Sequence, residues 1–267
     1  MPEIRVITTD DIPAAIRLKD AAAWNQTELD WYNLIELSPE GCFGIEVDGA
    51  LVATTTAVCF GPELAWIGMV LTHPDYRGRG LARALMEHAL AWLDGRVEWI
   101  KLDATDMGRP LYRKLGFEDE CPIERWAADP PRWSGGSLKP GKPDDAMDRT
   151  AFGADRGQLL ATLATNDFMS TAEGYAMGRP GSKAAYFGPC VARTPEMARV
   201  LTNWYMNRCG RKPVYWDLLT HNREAVRIAQ DCGFQPLRKL MRMARPGKQP
   251  FVHDDSLVYA IAGFEFG

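Results

Sequence analysis

Thr72-His73-Pro74-Asp75-Tyr76-Arg77-Gly78-Arg79-Gly80-Leu81-Ala82-Arg83 sets two glycines among three arginines. Glycine has no Cβ, so this loop can curl with its N–H groups converging, and a ligand can approach the backbone closely. The residues before it, Glu63 to Leu71, read as a strand. After it, Leu81, Leu85, Ala89 and Trp92 fall on one face of a helix running to Asp94. That helix adds the positive end of its dipole and its unpaired N–H donors. Strand, glycine-arginine turn and helix together predict an anion cradle of the size a diphosphate needs. Two common nucleotide loops are excluded. A dinucleotide fingerprint needs a glycine where Arg83 stands, and a P-loop needs Gly-Lys-Ser or Gly-Lys-Thr, which is absent.

Working outward, Thr9-Asp10-Asp11 and Pro13 open a helix, and a second is expected after Trp24-Asn25-Gln26-Thr27. Cys42 to Val47 and Leu51 to Cys59 read as strands joined by the Asp48-Gly49 hairpin turn. A strand from Val97 to Leu102 and a helix around Pro110 to Leu115 complete an α/β unit, an α+β mixed sheet flanked by helices. At 267 residues the chain has room for two such units. The prolines and glycines crowded between Ala128 and Asp145 mark a linker over 128–145, which predicts domains at 1–127 and 146–267.

Composition narrows the function classes. Hydrophobic residues are 46% and charged ones 25%, a globular balance, and 31 Lys and Arg against 35 Asp and Glu leave a net charge of −4. Neither nucleic acid nor membrane is expected as a partner of so mildly acidic a chain with no long apolar run. Six scattered cysteines without a C-x-x-C pair suit a reducing cytoplasm, and four histidines without ligand spacing give no expectation of a metal. His73, beside Pro74, reads as a turn residue, and Met69, Met86 and Met107 as core fillers.

The pattern Arg77-x-x-Gly80-x-Ala82 resembles the coenzyme A loop of the GNAT N-acetyltransferases, and Leu111-Tyr112-Arg113-Lys114-Leu115-Gly116-Phe117 resembles that family's last helix. The likeness covers most of residues 3–127. It implies acetyl-CoA as cosubstrate, with its pantetheine arm along Val70, Leu71 and Thr72 and its diphosphate on Arg77, Gly78, Arg79, Gly80, Leu81, Ala82 and Arg83. It also implies Tyr112 as the acid that protonates the departing thiolate, although on its own a Tyr in a Leu-Tyr-x-x-Leu helix also reads as core packing. For the proton of the attacking amine, Asp103 is the first candidate acceptor and Glu63 the second. The resemblance places Trp24, Asn25, Gln26 and Trp31 over the acceptor site, and a hydrophobic anchor with a helix cap is the other reading of these residues. Arg179 and Asp217 are possible contacts from the far side. Thr105 departs from the pattern, standing where many members carry asparagine.

The second half repeats the first in outline. Ala184 to Arg193 matches the strand before the cradle, and Cys232-Gly233-Phe234 echoes Leu115-Gly116-Phe117. Gly188 and Leu201 are four residues closer together than Gly68 and Leu85, and Thr194-Pro195 replaces the glycine-arginine turn. Ala229 stands where Tyr112 would be. The expectation is therefore two tandem GNAT-like domains, the first catalytic and the second a degenerate partner closing the pocket. The expected reaction is direct acetyl transfer to a primary amine of a small molecule, with the net charge favouring a cationic acceptor. A non-catalytic acyl-CoA sensor and a protein N-acetyltransferase are the alternatives.

Overall fold

The computed structural model describes residues 3–128, 138, 144–210 and 212–267. Most of the expected linker over 128–145 lies outside these residues. Strand β1 (Ile4–Val6) leads through a short 3-10 turn into helix α1 (Ile12–Ala21), whose first turn accepts Pro13 because its N–H would be unpaired there. Helix α2 (Glu28–Leu37) starts on a capping box: the Thr27 N–H donates to Asp30 at 2.7 Å while Asp30 N–H donates back to the Thr27 hydroxyl. Strands β2 (Cys42–Val47) and β3 (Ala50–Phe60) meet at Asp48-Gly49, both at positive φ as a two-residue hairpin of this kind requires. Strand β4 (Leu64–Thr72), helix α3 (Leu81–Leu93), strand β5 (Trp99–Ala104), helix α4 (Arg109–Lys114) and strand β6 (Glu118–Ala128) follow.

The second half begins with helices α5 (Asp145–Phe152) and α6 (Gly157–Leu163). It continues through strands β7 (Asp167–Thr171), β8 (Gly174–Arg179) and β9 (Ala185–Ala192), then helix α7 (Pro195–Arg208) and strand β10 (Val214–Leu219). Helix α8 (Arg223–Asp231), strand β11 (Gln235–Arg245) and strand β12 (Val258–Ala260) end it. Leu257 to Phe266 reads as a strand in sequence, but only three of its residues are one. Gly263, at a φ of +138°, turns the chain so that the Phe264 carbonyl accepts the Trp66 indole N–H at 2.9 Å.

All described strands join one mixed sheet in the order β1-β2-β3-β4-β5-β11-β6-β10-β9-β8-β7, with β12 on β9. The final strand of each half has crossed over. β11 pairs with β5, β6 pairs with β10, and the two exchanged strands pair antiparallel at the centre. α3 covers one face of the first half with Leu85, Met86, Ala89 and Leu93, and α7 and α8 cover the matching face of the second with Leu201, Tyr205 and Ile228. On the other face Trp31, Leu34, Trp66, Phe152 and Leu160 form one continuous core across both halves. Each such buried aliphatic or aromatic side chain contributes about 1.5–3 kcal/mol.

Candidate active site

Parallel strands β4 and β5 pair only at Leu64–Trp66 against Trp99–Lys101 and part beyond that. A bulge in β4 forces the separation. Thr54 pairs with Leu71 and Thr56 with Gly68, so Met69 and Val70 together oppose one residue of β3, and Met69 takes a φ of +48°. The opened wedge has two compartments. One is a groove of about 820 Å³ running along Val70–Thr72 to the start of α3. The other is a cavity of about 70 Å³ between Ile67–Val70 and Leu102–Asp103.

The groove holds the predicted cradle. Val70, Leu71, Thr72, Arg77, Gly78, Gly80, Leu81, Ala82 and Arg83 all line it. Gly78 and Gly80 sit at φ +75° and +79°, a conformation that strains any residue with a Cβ. Gly80 caps α3 with no side-chain acceptor, so the first N–H groups of the helix remain available to an anion. Arg79 is the exception: it bends back to donate to the Asp75 carbonyl at 3.0 Å and stacks on the Tyr76 ring, and it does not line the groove. In the second half the equivalent helix start is closed, because the Thr194 hydroxyl accepts the Met197 N–H.

Tyr112 stands where the two compartments meet and lines both. Gly108 lies under its ring, where a Cβ would come within 2.8 Å of the ring edge. Burial raises the Tyr112 hydroxyl above its ordinary pKa, so it keeps its proton and can act as a donor. Thr105 also lines both compartments, while its hydroxyl accepts the Gly108 N–H at 3.2 Å and so steadies the turn into α4.

Other predicted site residues divide. Trp24 lines groove and cavity. Asn25 is spent on the seam between the halves, donating to the Ala184 carbonyl at 2.8 Å and accepting the N–H groups of Lys183 and Ala184. Trp31 is fully buried in the shared core and lines neither compartment. Glu63 is exposed in the β3–β4 turn, at the end of β4 remote from the bulge, and no acid there can reach the wedge. Asp103 does line the cavity, but both of its oxygens accept from Arg242, at 2.9 and 3.1 Å. Burial pushes the Asp103 carboxyl above its ordinary pKa, and the charge and hydrogen bonds of Arg242 pull it part of the way back.

Arg179 and Asp217 act one step removed. Arg179 donates to Asp30 at 2.9 Å and to Glu265 at 2.6 Å, and Asp217 clamps Arg125 through two bonds of 2.6 and 2.7 Å. Glu265 and Arg125 are the residues that reach the cavity. Sequence reasoning missed them together with Arg238, since they come from β6, β11 and the C-terminal turn, brought to the wedge by the packing of the two halves. Gln26, read in sequence with Trp24 and Asn25 as part of the acceptor region, does line the cavity, but nothing in sequence marked the others.

Comparison with known proteins decides the lineage. The Acetyltransferase (GNAT) family profile matches residues 9–117, and an Acetyltransferase (GNAT) domain profile matches residues 145–260. The chain belongs to the GNAT superfamily, in tandem form. An uncharacterized N-acetyltransferase of Bacillus subtilis is 26% identical over 176 residues, 58% of this chain and 61% of that protein. A crystal structure from Pyrococcus horikoshii superposes with a TM-score of 0.87 at 22% identity, covering 99% of this chain and 95% of that one. A GCN5-related N-acetyltransferase structure from Sphaerobacter thermophilus gives 0.68 at 15% identity, covering 95% and 98%. These structural likenesses establish the fold.

GNAT proteins are acyltransferases that use acetyl-CoA, and the groove with its uncapped helix start fits such a carrier. Metal-ligand atoms of Cys121, His221 and Asp255 converge within 4.8 Å of one another, from segments too distant for spacing to reveal. None of the three lines the groove or cavity, and Asp255 is engaged by His221 at 3.1 Å and His253 at 2.9 Å. Among the described residues no helix is long and apolar enough to cross a membrane.

Proposed function

We propose that the chain transfers the acetyl group of acetyl-CoA directly to a primary amine of a small molecule, with coenzyme and chemistry in residues 1–127 and the second half closing the acceptor cavity. One observation carries this reading: the coenzyme-sized groove and the small cavity meet at Tyr112, where β4 and β5 part. The cavity's small size favours a small acceptor over a polypeptide, which needs an open channel.

The pantetheine arm lies along Val70–Thr72 as an added strand. At the bulge, backbone released from the β3 ladder polarises the thioester carbonyl. The amine nitrogen attacks the carbonyl carbon, the carbon–sulfur bond breaks, and the thiolate takes the Tyr112 proton. An alkylammonium has a pKa of about 10.4 and must first lose a proton. Two carboxyls line the cavity to take it, Asp103 and Glu265. The arginines that face the cavity help, since a nearby positive charge lowers the pKa of a bound ammonium. Thiol release from acetyl-CoA across a panel of small amines is the test. Binding of the coenzyme with no release for any amine would leave the sensor reading in its place.

A further inference from the structure

We propose that the acceptor carries a carboxylate on the same molecule as its amine, and that Arg238 is the residue that holds that carboxylate. The inference builds on the acetyl-transfer reading above. It starts from the charges that face the cavity. Asp103 is matched by Arg242 and Arg125 by Asp217, while Glu265 shares Arg179 with Asp30 and takes a hydrogen bond from Gln26 at 2.8 Å. Arg238 lines both the cavity and the adjoining end of the groove, and among the described residues it has no ion pair and no hydrogen bond. Its one recorded partner is the Trp24 ring, whose centroid is 6.0 Å away.

The position of Arg238 makes this costly. A register shift in β11 between Pro236 and Arg238 sets Arg238 directly opposite Arg125 on β6. Like charges facing each other across two strands are destabilising. Burial and the neighbouring Arg125 lower the Arg238 pKa, and the more weakly acting Asp217 and Tyr186 offset this only in part. A half-buried cation beside a second cation is relieved by an anion, and a planar guanidinium matches a carboxylate through two parallel bonds.

A second group points to the other end of the acceptor. Gln26 is 2% exposed, and its Oε1 has no hydrogen-bond partner. Burial raises the Glu265 pKa, but the Arg179 guanidinium at 2.6 Å favours the carboxylate, and toward a carboxylate the Gln26 amide turns its nitrogen, leaving its oxygen over. An unpaired buried acceptor calls for an N–H donor, which an amine supplies. The cavity is thus lined by a cation without an anion, and behind its surface the Gln26 amide keeps an oxygen without a donor, which together suit an amino carboxylate. The net charge of −4 favoured a cationic acceptor, but among the described residues around the cavity the charges balance and only Arg238 stands without a bonded counter-ion.

The test is calorimetric titration of the protein saturated with coenzyme A. The probes are glycine, β-alanine, 4-aminobutyrate and the proteinogenic amino acids, each against its decarboxylated amine. At least one carboxylate is expected to bind, with its decarboxylated partner at least tenfold weaker. Arg238→Gln should weaken that carboxylate at least tenfold while coenzyme A affinity stays within twofold, and Arg238→Lys should restore part of the loss. Because Arg238→Gln removes a like-charge pair, its thermal midpoint should not fall. The proposal is overturned if no carboxylate binds, if both members of each pair bind equally, or if Arg238→Gln costs coenzyme affinity as much as acceptor affinity. Adding acetyl-CoA then separates the two readings: carboxylates that bind without thiol release would refute acetyl transfer and leave the anion site standing.

Discussion

Tyr112 and Gly80 carry single-residue predictions of opposite kind. Tyr112 lines the junction of groove and cavity, and its proton is held there by burial. Replacing it by Phe keeps the ring over Gly108 and removes only the hydroxyl. Turnover should fall about 100-fold, the low end for lost acid catalysis, with the KM for acetyl-CoA within twofold. Full activity in Tyr112→Phe would remove it from the mechanism. Gly80 works through backbone and charge. Its φ of +79° strains any side chain by roughly 1–2 kcal/mol, and Gly80→Asp also sets a carboxylate at the helix start where the diphosphate is held. Coenzyme binding in Gly80→Asp, measured by calorimetry, should drop beyond detection while the far-ultraviolet circular dichroism stays native.

At the level of elements, the first half was readable because its signals are local. The Asp48-Gly49 turn, the Thr27 cap, the glycine-arginine loop and the apolar face of α3 each lie within a few residues of chain. Tyr112 and the groove lining followed from them. Glu63, Asn25 and Trp31 failed as site residues for a physical reason: position along β4, and burial against the second half, are decided by packing that no short window contains. The acid network at the β10–α8 turn was equally invisible. There His221 is 43% exposed on its side chain, and hydrogen bonds with Asp255 and Cys121 raise its pKa to about 10. Burial alone would raise Asp255, but His221 and His253 carry it below the usual carboxylate range. A raised histidine stabilises fully below its unfolded pKa, near 6.5, and that stability drains as pH climbs toward about 10. The thermal midpoint should therefore fall from pH 7 to 10, and His221→Gln should flatten that slope. An unchanged slope would show that the pair contributes nothing.

Across the molecule, the halves are joined by exchanged strands and by buried charge. Arg125 on β6 and Asp217 on β10 are both nearly inaccessible. Arg125→Met leaves Asp217 buried without a partner and should cost about 3–5 kcal/mol in urea unfolding. Adding Asp217→Leu should recover most of it, and no recovery would mean the loss was packing rather than charge. The exchange also has a temporal side. A ribosome releases β5 long before β11, which follows 131 residues after Ala104. At about 5–20 residues per second, that edge stays unpaired for on the order of ten seconds during synthesis. Nascent chains stalled before residue 235 should for that reason recruit chaperones that full-length chains have already shed.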